Sequence, residues 1–491
     1  MIIAKDLKKF LNIINGNLVP ASTGEYMDSI DPATGHVWAT IPCSTIQDAE
    51  DAVESAKAAF EKWSTMPASE RAVYLRKIGD LITQHGEELS ELETRDNGWV
   101  VRETKYGLIP SLASFWYDAA AGATEVGSKG DTVQLGPSGV GYTLREPLGV
   151  VVGILPWNAP LSTFTFKAAV ALAAGNTVII KPSELGSVSS LRFGELINEI
   201  LPPGTLNVIS GIGRDVGDIL VSHQDVSKIS VTGSGQTAKA IAQSTASNPK
   251  PMILELGGKS PNIVFADADL DKAAQGVTNG IFSGNAGQLC AAGSRILIQK
   301  PIYDEMIIKM KEVIAQTIKL GDPLNPESSM GPIANSTQYE KICAYIELGK
   351  DEGGETIIGG RYGGSVLLPE QPQFSDGYWV EPTLIHVNSN TLRICQEEIF
   401  GPVATVIPFD TEEEALAIAN ESSLGLVAGV WTTNLSRAHR MMRKLESGTV
   451  WVNTYFRIGP ELPFGGTKGS GFGSDSILEY TREKTCYIDI G

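Results

Sequence analysis

From Gly149 onward, short apolar runs rich in β-branched residues alternate with helical stretches of ten or so residues, and this rhythm constrains the fold more than any other feature. GVVVGILP reads as a buried strand, PLSTFTFKAAVALAAG as a helix ending at Gly175, and NTVIIKPS as a second strand. SSLRFGELINEI, GTLNVISG, VGDILVSH, KISVTG, TAKAIAQSTA and PMILELGG then read as helix, strand, helix, strand, helix and strand. A strand can return in the same direction only over a crossover, so this order predicts a doubly wound parallel α/β sheet with right-handed connections. After Ser260 a second set begins: LDKAAQGVTNGIFSGN as helix, RILIQK as strand, YDEMIIKMKEVIAQTI as a long helix, with further pairs to about Val452. That predicts a second α/β domain. Ahead of both, Ile46 to Leu92 has helical spacing and composition. After Gly469 a glycine-rich stretch leads into EYTREKTCYIDIG, a terminal strand that needs a sheet to join, with a second subunit as one source of it.

A chain of 491 residues has room for two or three domains, and 42% hydrophobic residues suffice to bury their cores without cross-links. The net charge of −18 argues against nucleic acid or an anionic membrane as partner, since both reward positive charge. It leaves small substrates open, because a basic pocket can sit inside an acidic protein. The 5 cysteines, Cys43, Cys290, Cys343, Cys395 and Cys486, are scattered without a CxxC pair. That excludes a disulfide framework and a structural zinc site, and fits reduced thiols in the cytoplasm. The N-terminus MIIAKDLKKFLNIINGNLV carries charge inside its apolar run and does not read as a signal peptide. No run of eighteen or more apolar residues reads as a membrane span.

Two strands run straight into glycine. LNVIS leads into Gly211, Gly213 and Gly217, and KISVT leads into Gly233-Ser234-Gly235-Gln236-Thr237-Ala238 and then helix. The second fits a dinucleotide fingerprint, in which glycine lets the backbone approach a pyrophosphate at a helix N-terminus. Glycine after a strand is as often a plain tight turn, so this feature alone leaves nucleotide binding and simple turn level. Glu255 follows at the distance of about 20 residues where a ribose-binding acid stands, so spacing alone makes it a cofactor ligand.

A lone cysteine is usually a buried small hydrophobe, which is the reading for Cys43, Cys343 and Cys395. Cys290 differs because it sits in a small-residue segment, Gly287-Gln288-Leu289-Cys290-Ala291-Ala292-Gly293-Ser294-Arg295, and other polar signals converge with it. Leu254-Glu255-Leu256-Gly257-Gly258-Lys259-Ser260-Pro261 puts an acid at a strand end, and Pro156-Trp157-Asn158-Ala159-Pro160 puts an amide on a rigid turn at another. Sites in parallel sheets form at such carboxyl ends.

Together these segments resemble the aldehyde dehydrogenase superfamily, of the non-acylating, NAD(P)-dependent kind. The resemblance runs from about Ala21 to Ile490 and includes, in order, PWNAP, KPSE at Lys181–Glu184, VTGS at Val231–Ser234, LELGGKSP, GQLCAAGSR, GDP at Gly321–Pro323, MGPI at Met330–Ile333, EEIFGPV at Glu397–Val403 and PFGGTKGSG from Pro463. It implies a Rossmann-like cofactor domain over 1–124 and 148–257, an α/β catalytic domain over 258–468, and a small β oligomerisation arm from 125–147 and 469–491 making a homodimer or homotetramer. It implies that Cys290 attacks the aldehyde, that Asn158 and the Cys290 N–H stabilise the oxyanion, that Glu255 is the base for thioester hydrolysis, and that Lys167 joins a proton relay. No metal is implied. For the cofactor it points to Lys181, Ser183, Glu184 and Gly213, to Gly233 and Ser234, to Leu256, Glu398 and Phe400, and to Ile154, Leu155, Pro156 and Trp157 along the channel. Glu184 beside a ribose hydroxyl suits NAD and repels a 2′-phosphate, whereas the small Ser183 leaves room for one, so NADP is the alternative.

The substrate is expected among Phe166, Leu289, Ala291, Arg457, Ile458 and Phe464, with Ser162 and Thr163 adding hydroxyls. Arg457 could pair with a substrate carboxylate or face solvent, and the first option makes the aldehyde a polar one or a semialdehyde. The chain departs from the family at Ala238 in the pyrophosphate turn, and at Ala159, where many relatives carry an aromatic and a wider pocket is expected. It departs again at Ser474 and Asp475, which replace an Arg-Glu pair in a tail a few residues shorter, putting the proton relay and subunit contacts there in question. Two other chemistries stay open: transfer of the thioester to coenzyme A, against which Glu255 argues, and a cysteine hydrolase or thioesterase, which would need a histidine beside Cys290.

Overall fold

The alternation becomes two separate parallel sheets in the computed structural model, which describes residues 7–489 and 491. Residues 1–6 of the expected cofactor domain, and Ile490 at the end of the resemblance, lie outside the described residues. In the first sheet five parallel strands stand in the order Met252–Glu255, Val226–Thr232, Val150–Ile154, Thr177–Lys181, Leu206–Val208. The first of these in sequence therefore lies in the middle. The chain winds outward on one side, crosses back and winds outward on the other. The switch falls between Val150–Ile154 and Val226–Thr232, where the outgoing loops part and leave a crevice. Those loops are Leu155–Asn158 and Gly233-Ser234. Asn12–Ile14 and Asn17–Val19 extend one edge antiparallel, and Gly471–Phe472 pairs antiparallel with Leu254 and Glu255 on the other. The segment just after Gly469, expected in the arm, thus belongs partly to this sheet.

Both faces of the central strands are covered by helices, which is why Val150, Val151 and Val152 form an unbroken apolar run rather than an alternating one. The helix Pro160–Ala173 carries Phe164, fully buried against Phe193 with ring centroids 5.0 Å apart. Trp63 Nε1 donates to the Leu172 carbonyl at 3.2 Å, and Trp116 Nε1 to Thr165 Oγ1 at 3.3 Å. The helix is thereby held on three sides. It ends at Gly175, whose φ of +95° only glycine adopts without strain.

The second sheet, in the order Glu355–Ile358, Thr383–His386, Val403–Phe409, Arg295–Gln299, Pro261–Val264, Val427–Trp431, Thr449–Val452, is parallel except for its first strand. A third, antiparallel sheet joins Thr132–Gln134, Gly139–Pro147 and Thr481–Asp489. The terminal strand thus finds its partner within its own chain, in a register running from Thr481 opposite Pro147 to Asp489 opposite Gly139.

The helical run expected from Ile46 to Leu92 is three helices, Ile46–Ser64, Ala68–Gln84 and Gly86–Asn97. The first opens on a capping box in which Thr45 N donates to Asp48 Oδ2 at 2.7 Å. Pro67, which lacks a backbone N–H, separates it from the second. VGDILVSH is helical only over Asp218–Ser222, after a wider turn at Gly213–Gly217. The sequence reading left the hairpin Tyr26–Asp31 and His36–Pro42 unassigned. No helix among the described residues is long and apolar enough to cross a membrane.

Candidate active site

A cavity of about 570 Å³ opens where the two parallel sheets face each other. Its walls include Pro156, Trp157 and Asn158 from the end of Val150–Ile154, and Thr232, Gly233 and Ser234 from the end of Val226–Thr232. Glu255, Leu256 and Gly257 come from the end of Met252–Glu255, and Leu289, Cys290 and Ala291 from the second domain. Two adjoining strand ends are tied to each other, since Gly233 N donates to the Glu255 carbonyl at 3.1 Å.

Cys290 is presented by a turn of unusual backbone. Gly284, Asn285, Ala286 and Gly287 take φ of +69°, +52°, +53° and +73° in succession. At Gly287 a side chain is impossible, because a Cβ would stand 2.5 Å from the Ile281 carbonyl oxygen and 2.6 Å from that of Gly401. Four left-handed residues need outside support, and buried amides supply it. Asn285 Nδ2 donates to the Asn158 carbonyl at 2.8 Å, and Gln288 Nε2 donates to the Asn285 carbonyl at 2.9 Å. Gln288 Oε1 accepts from Ala334 N at 2.9 Å, and Asn158 Nδ2 donates to the Gln288 carbonyl at 2.7 Å. The last bond uses one of the two Asn158 amide hydrogens and aims the group, leaving the other for the cavity.

Burial, reinforced by the charges of Glu255 and Glu398, pushes the Cys290 thiol up to about 12; the N–H groups of Ala291 and of Cys290 itself pull the other way. Glu255 is buried, and neither of its carboxyl oxygens has a hydrogen-bond partner among the described residues. Burial first, and then the charge of Asp475, raise it to about 8, against the opposing Lys167. An orphaned, elevated carboxyl on the wall that holds the thiol suits a proton-transferring base better than the ribose ligand its spacing offered.

Behind Glu255, Lys167 is 1% exposed, and its Nζ donates to Ser230 Oγ at 2.8 Å and to Asp475 Oδ2 at 2.9 Å. Asp475 Oδ1 accepts from Ser230 Oγ at 2.7 Å and from the Tyr480 hydroxyl. Burial alone would raise Asp475, but the Lys167 ammonium with the Tyr480 and Ser230 bonds outweighs it and holds the carboxyl below its ordinary range. The altered tail, which put the relay in question, delivers an acid to Lys167 after all.

Of the residues expected at the cofactor, Pro156, Trp157, Gly233, Ser234, Leu256, Glu398 and Phe400 line the same cavity as Cys290. Phe400, at φ +64°, sets its ring edge-on to Trp157 with centroids 5.3 Å apart. Glu398 Oε1 accepts from Gly258 N at 2.8 Å, an approach that glycine at 257 permits, since a Cβ there would meet the carboxylate at 2.3 Å. Ile154 and Leu155 lie on the strand side of the channel, with Leu155 N bonded to the Lys181 carbonyl. Lys181, Ser183, Glu184 and Gly213 sit outside the cavity along the neighbouring strand ends. There Lys181 Nζ and Glu184 Oε2 pair at 3.2 Å, and a Cβ on Gly213 would stand 3.9 Å from that Nζ. Ser234 Oγ caps the helix Gly235–Ser244 by accepting from Thr237 N, and Ala238 packs buried beneath it.

Of the residues expected around the substrate, Phe166, Leu289, Ala291, Ile458 and Phe464 line the cavity, with Ser162 and Thr163. Arg457 does not. Its side chain is exposed, and its contribution is a backbone carbonyl that accepts from Trp451 Nε1 at 3.0 Å. The expectation of a carboxylate clamp there is corrected: the loop points its apolar neighbours Phe456 and Ile458 inward instead. Ala159, where a wider cavity is expected, is buried in one apolar cluster with Trp99 and Val100, and both it and Trp99 line the cavity. Trp99, Glu103, Leu108, Phe115 and Phe456 are wall residues that the sequence reading did not select. They come from the segment Trp99–Phe115 and from the loop after the strand Thr449–Val452, and neither stretch carries a motif that marks it as a wall.

A model of the aldehyde dehydrogenase family matches residues 18–488. The chain is 40% identical to a betaine aldehyde dehydrogenase of Rhizobium etli, over 98% of each chain. It is 38% identical to the 4-trimethylaminobutyraldehyde dehydrogenase of Homo sapiens, over 96% of this chain and 94% of that one. A crystal structure of betaine aldehyde dehydrogenase from Staphylococcus aureus, with NAD+ and a BME-modified cysteine, superposes with a TM-score of 0.93 at 36% identity, covering 98% of this chain and 97% of the other.

Proposed function

The chain belongs to the aldehyde dehydrogenase family, and from that premise we propose that it oxidises an aldehyde to a carboxylate through a thioester on Cys290, with NAD as cofactor. The observation that carries the assignment is the meeting of a thiol, an unpartnered carboxyl and an aimed amide at one cavity: Cys290, Glu255 and Asn158.

The residues fit the dinucleotide. Gly235 has nothing within 4 Å of where a Cβ would stand, so the backbone at this helix start is open to a pyrophosphate. Lys181 and Glu184 would hold the adenosine ribose, where Glu184 favours NAD over NADP, and Glu398, with Phe400 and Trp157 nearby, would hold the nicotinamide ribose. When bound, NAD supplies the two-electron acceptor that turns the Cys290 thiohemiacetal into a thioester.

The protein's own groups do the rest. The thiol gives its proton to Glu255 and attacks the carbonyl carbon. The oxyanion that forms takes the free Asn158 Nδ2–H and the Cys290 N–H, donors that are already fixed and need not reorganise. In the second half Glu255 takes a proton from water as its oxygen adds to the thioester carbon, the C–S bond breaks with its electron pair returning to the Cys290 sulfur, and the carboxylate leaves. Lys167 acts on Glu255 through its charge, and Asp475 and Ser230, with the Tyr480 hydroxyl on Asp475, hold the ammonium in place.

The substrate half of the cavity holds Trp99, Phe115, Phe166, Phe456 and Phe464 beside Glu103. Lys341, the only cationic lining residue among those described, is near Glu398 at the cofactor end. This favours a neutral or cationic polar aldehyde over a carboxylate-bearing one, in keeping with the trimethylamino group in the human relative's name. No histidine lines the cavity among the described residues, which weighs against a cysteine hydrolase, and Glu255 weighs against transfer to coenzyme A. We take residues 1–124 with 148–257 as the cofactor domain, 258–468 as the catalytic domain, and 125–147 with 469–491, apart from the strand Gly471–Phe472 that joins the cofactor sheet, as the arm of a cytoplasmic homodimer or homotetramer. Nicotinamide reduction with NAD or NADP across neutral, cationic and anionic aldehydes tests the assignment. Loss of all reduction in Cys290→Ala is expected, and persistence would overturn it.

A further inference from the structure

Ala159 offers the cavity one methyl group. Trp99, from the stretch between the helix Gly86–Asn97 and the turn Val101–Glu103, shares one buried apolar cluster with Ala159 and Val100, against which Leu108 and Leu289 pack. Trp99 is 7% exposed, yet its ring forms part of the cavity wall. Its orientation is fixed at two points. Its backbone N donates to Asn97 Oδ1 at 3.0 Å, and its indole Nε1 donates to Glu103 Oε2 at 2.5 Å. Glu103 also accepts from Gly284 N, at 3.2 and 3.1 Å to its two oxygens. Gly284 opens the left-handed turn that leads to Cys290. One carboxylate thus ties the indole to the backbone that positions the thiol.

We infer that Trp99 is the specificity-determining wall of the aldehyde cavity, supplying from another element the bulk that position 159 lacks, and that Glu103 is the positioning residue that holds its indole at a fixed place relative to Cys290. The inference rests on the proposed aldehyde chemistry only for its kinetic readout. Trp99 and Ala159 belong to one cluster and line one cavity, so an aromatic introduced at 159 would compete with the indole for the same space. The two positions must therefore be coupled rather than independent.

The experiment compares wild type with Trp99→Ala, Trp99→Phe, Ala159→Phe, Trp99→Ala/Ala159→Phe, Glu103→Ala and Glu103→Gln. The first readout needs no turnover: the rate at which iodoacetamide and its N-naphthyl analogue alkylate Cys290, followed by peptide mass. The second is kcat/KM for propanal against naphthaldehyde. Trp99→Ala should raise the bulky-to-small ratio at least about tenfold in both readouts, the low end of what one or two methylenes decide in an apolar pocket. Trp99→Phe should move it part of the way and serves if the alanine variant fails to fold. Ala159→Phe should depress the ratio in wild type and be tolerated once Trp99 is gone. Glu103→Ala should move the ratio toward that of Trp99→Ala with the tryptophan still present, and Glu103→Gln, which keeps an acceptor, should restore it. Equal changes for small and bulky probes, or additive effects at 99 and 159, would overturn the wall. A Glu103→Ala ratio like wild type would overturn the positioning role. If no aldehyde is turned over but the alkylation ratio shifts, the aldehyde chemistry falls and the wall stands.

Discussion

Asp475→Asn separates the two jobs that the Lys167 cluster performs. In the intact protein Glu255 sits near about 8, so roughly one base in ten is ionised at pH 7 and the rate of a Glu255-dependent step should climb about tenfold between pH 7 and a plateau above pH 9. Of the charges acting on Glu255, Asp475 raises it more than Lys167 lowers it. Removing the Asp475 charge therefore lowers the Glu255 midpoint. The same change breaks an ion pair whose lysine is 1% exposed, at 2.9 Å. Asparagine and Ser230 still offer acceptors, so the stability loss should lie at the lower end for a broken buried pair, about 3 kcal/mol. The assay is the pH dependence, from pH 6 to 10, of thioester breakdown measured in a single turnover, with melting temperature recorded alongside. A limb that moves down in pH in a less stable protein is the expected result. A limb that stays in place or moves up would refute the claim that Asp475 acts on Glu255 through its charge.

Other substitutions have sharper single outcomes. Asn158→Ala should cut kcat by about 10²–10³ while leaving NAD binding, read by calorimetry, unchanged. Glu184→Ala should narrow the preference for NAD over NADP by about tenfold in the ratio of kcat/KM, with kcat for NAD nearly constant. Glu255→Gln should abolish turnover yet stabilise the fold above neutrality. A carboxyl raised from 4.5 to about 8 binds its proton more tightly when folded, so stability falls as pH rises through that interval, by on the order of 3–5 kcal/mol when complete. Glutamine removes that loss, and the melting-temperature gain should be absent at pH 4 and large at pH 9.

The strand–helix rhythm and the glycine turns made both parallel sheets legible, because unbroken apolar runs such as VVVGI have no stable place except between two covered faces. Cys290, Glu255 and Asn158 were legible as polar or reactive groups at three strand ends or turns, although one sheet's spacing rule pointed Glu255 at a ribose. What could not be read was the support around them. Asn285 and Gln288 look like ordinary loop amides, and only the folded turn, with four consecutive positive φ angles, reveals that they hold the thiol's backbone. Trp99 and Ala159 are far apart in sequence, so a large residue offsetting a small one leaves no periodic trace. Arg457 failed for the opposite reason. Its charge drew attention, but whether a loop side chain points into a cavity depends on the backbone around it, and Trp451 grips this loop by its carbonyl.

The tail explains how an aspartate can serve where a longer acid was expected. The strand Gly471–Phe472 is pinned to Leu254 and Glu255, so the chain enters this segment already beside the base. It is pinned again where Asn176 Nδ2 donates to the Tyr480 carbonyl at 2.9 Å, and that same asparagine accepts the N–H groups of Leu148 and Gly149 at the start of the central strand. Seven residues lie between those two anchors, and the short turn Ile477–Tyr480 takes up the last three of them. The backbone at 475 is thereby drawn close to the sheet, and the shorter arm reaches Lys167 directly. The Tyr480 hydroxyl and Ser230 share one oxygen of the carboxylate, leaving the other for the ammonium. Tail length and acid length are therefore one variable: lengthening Asp475 to glutamate without lengthening the tail would drive the carboxylate past Lys167 into the fully buried Tyr480, and should weaken the ion pair it was meant to strengthen.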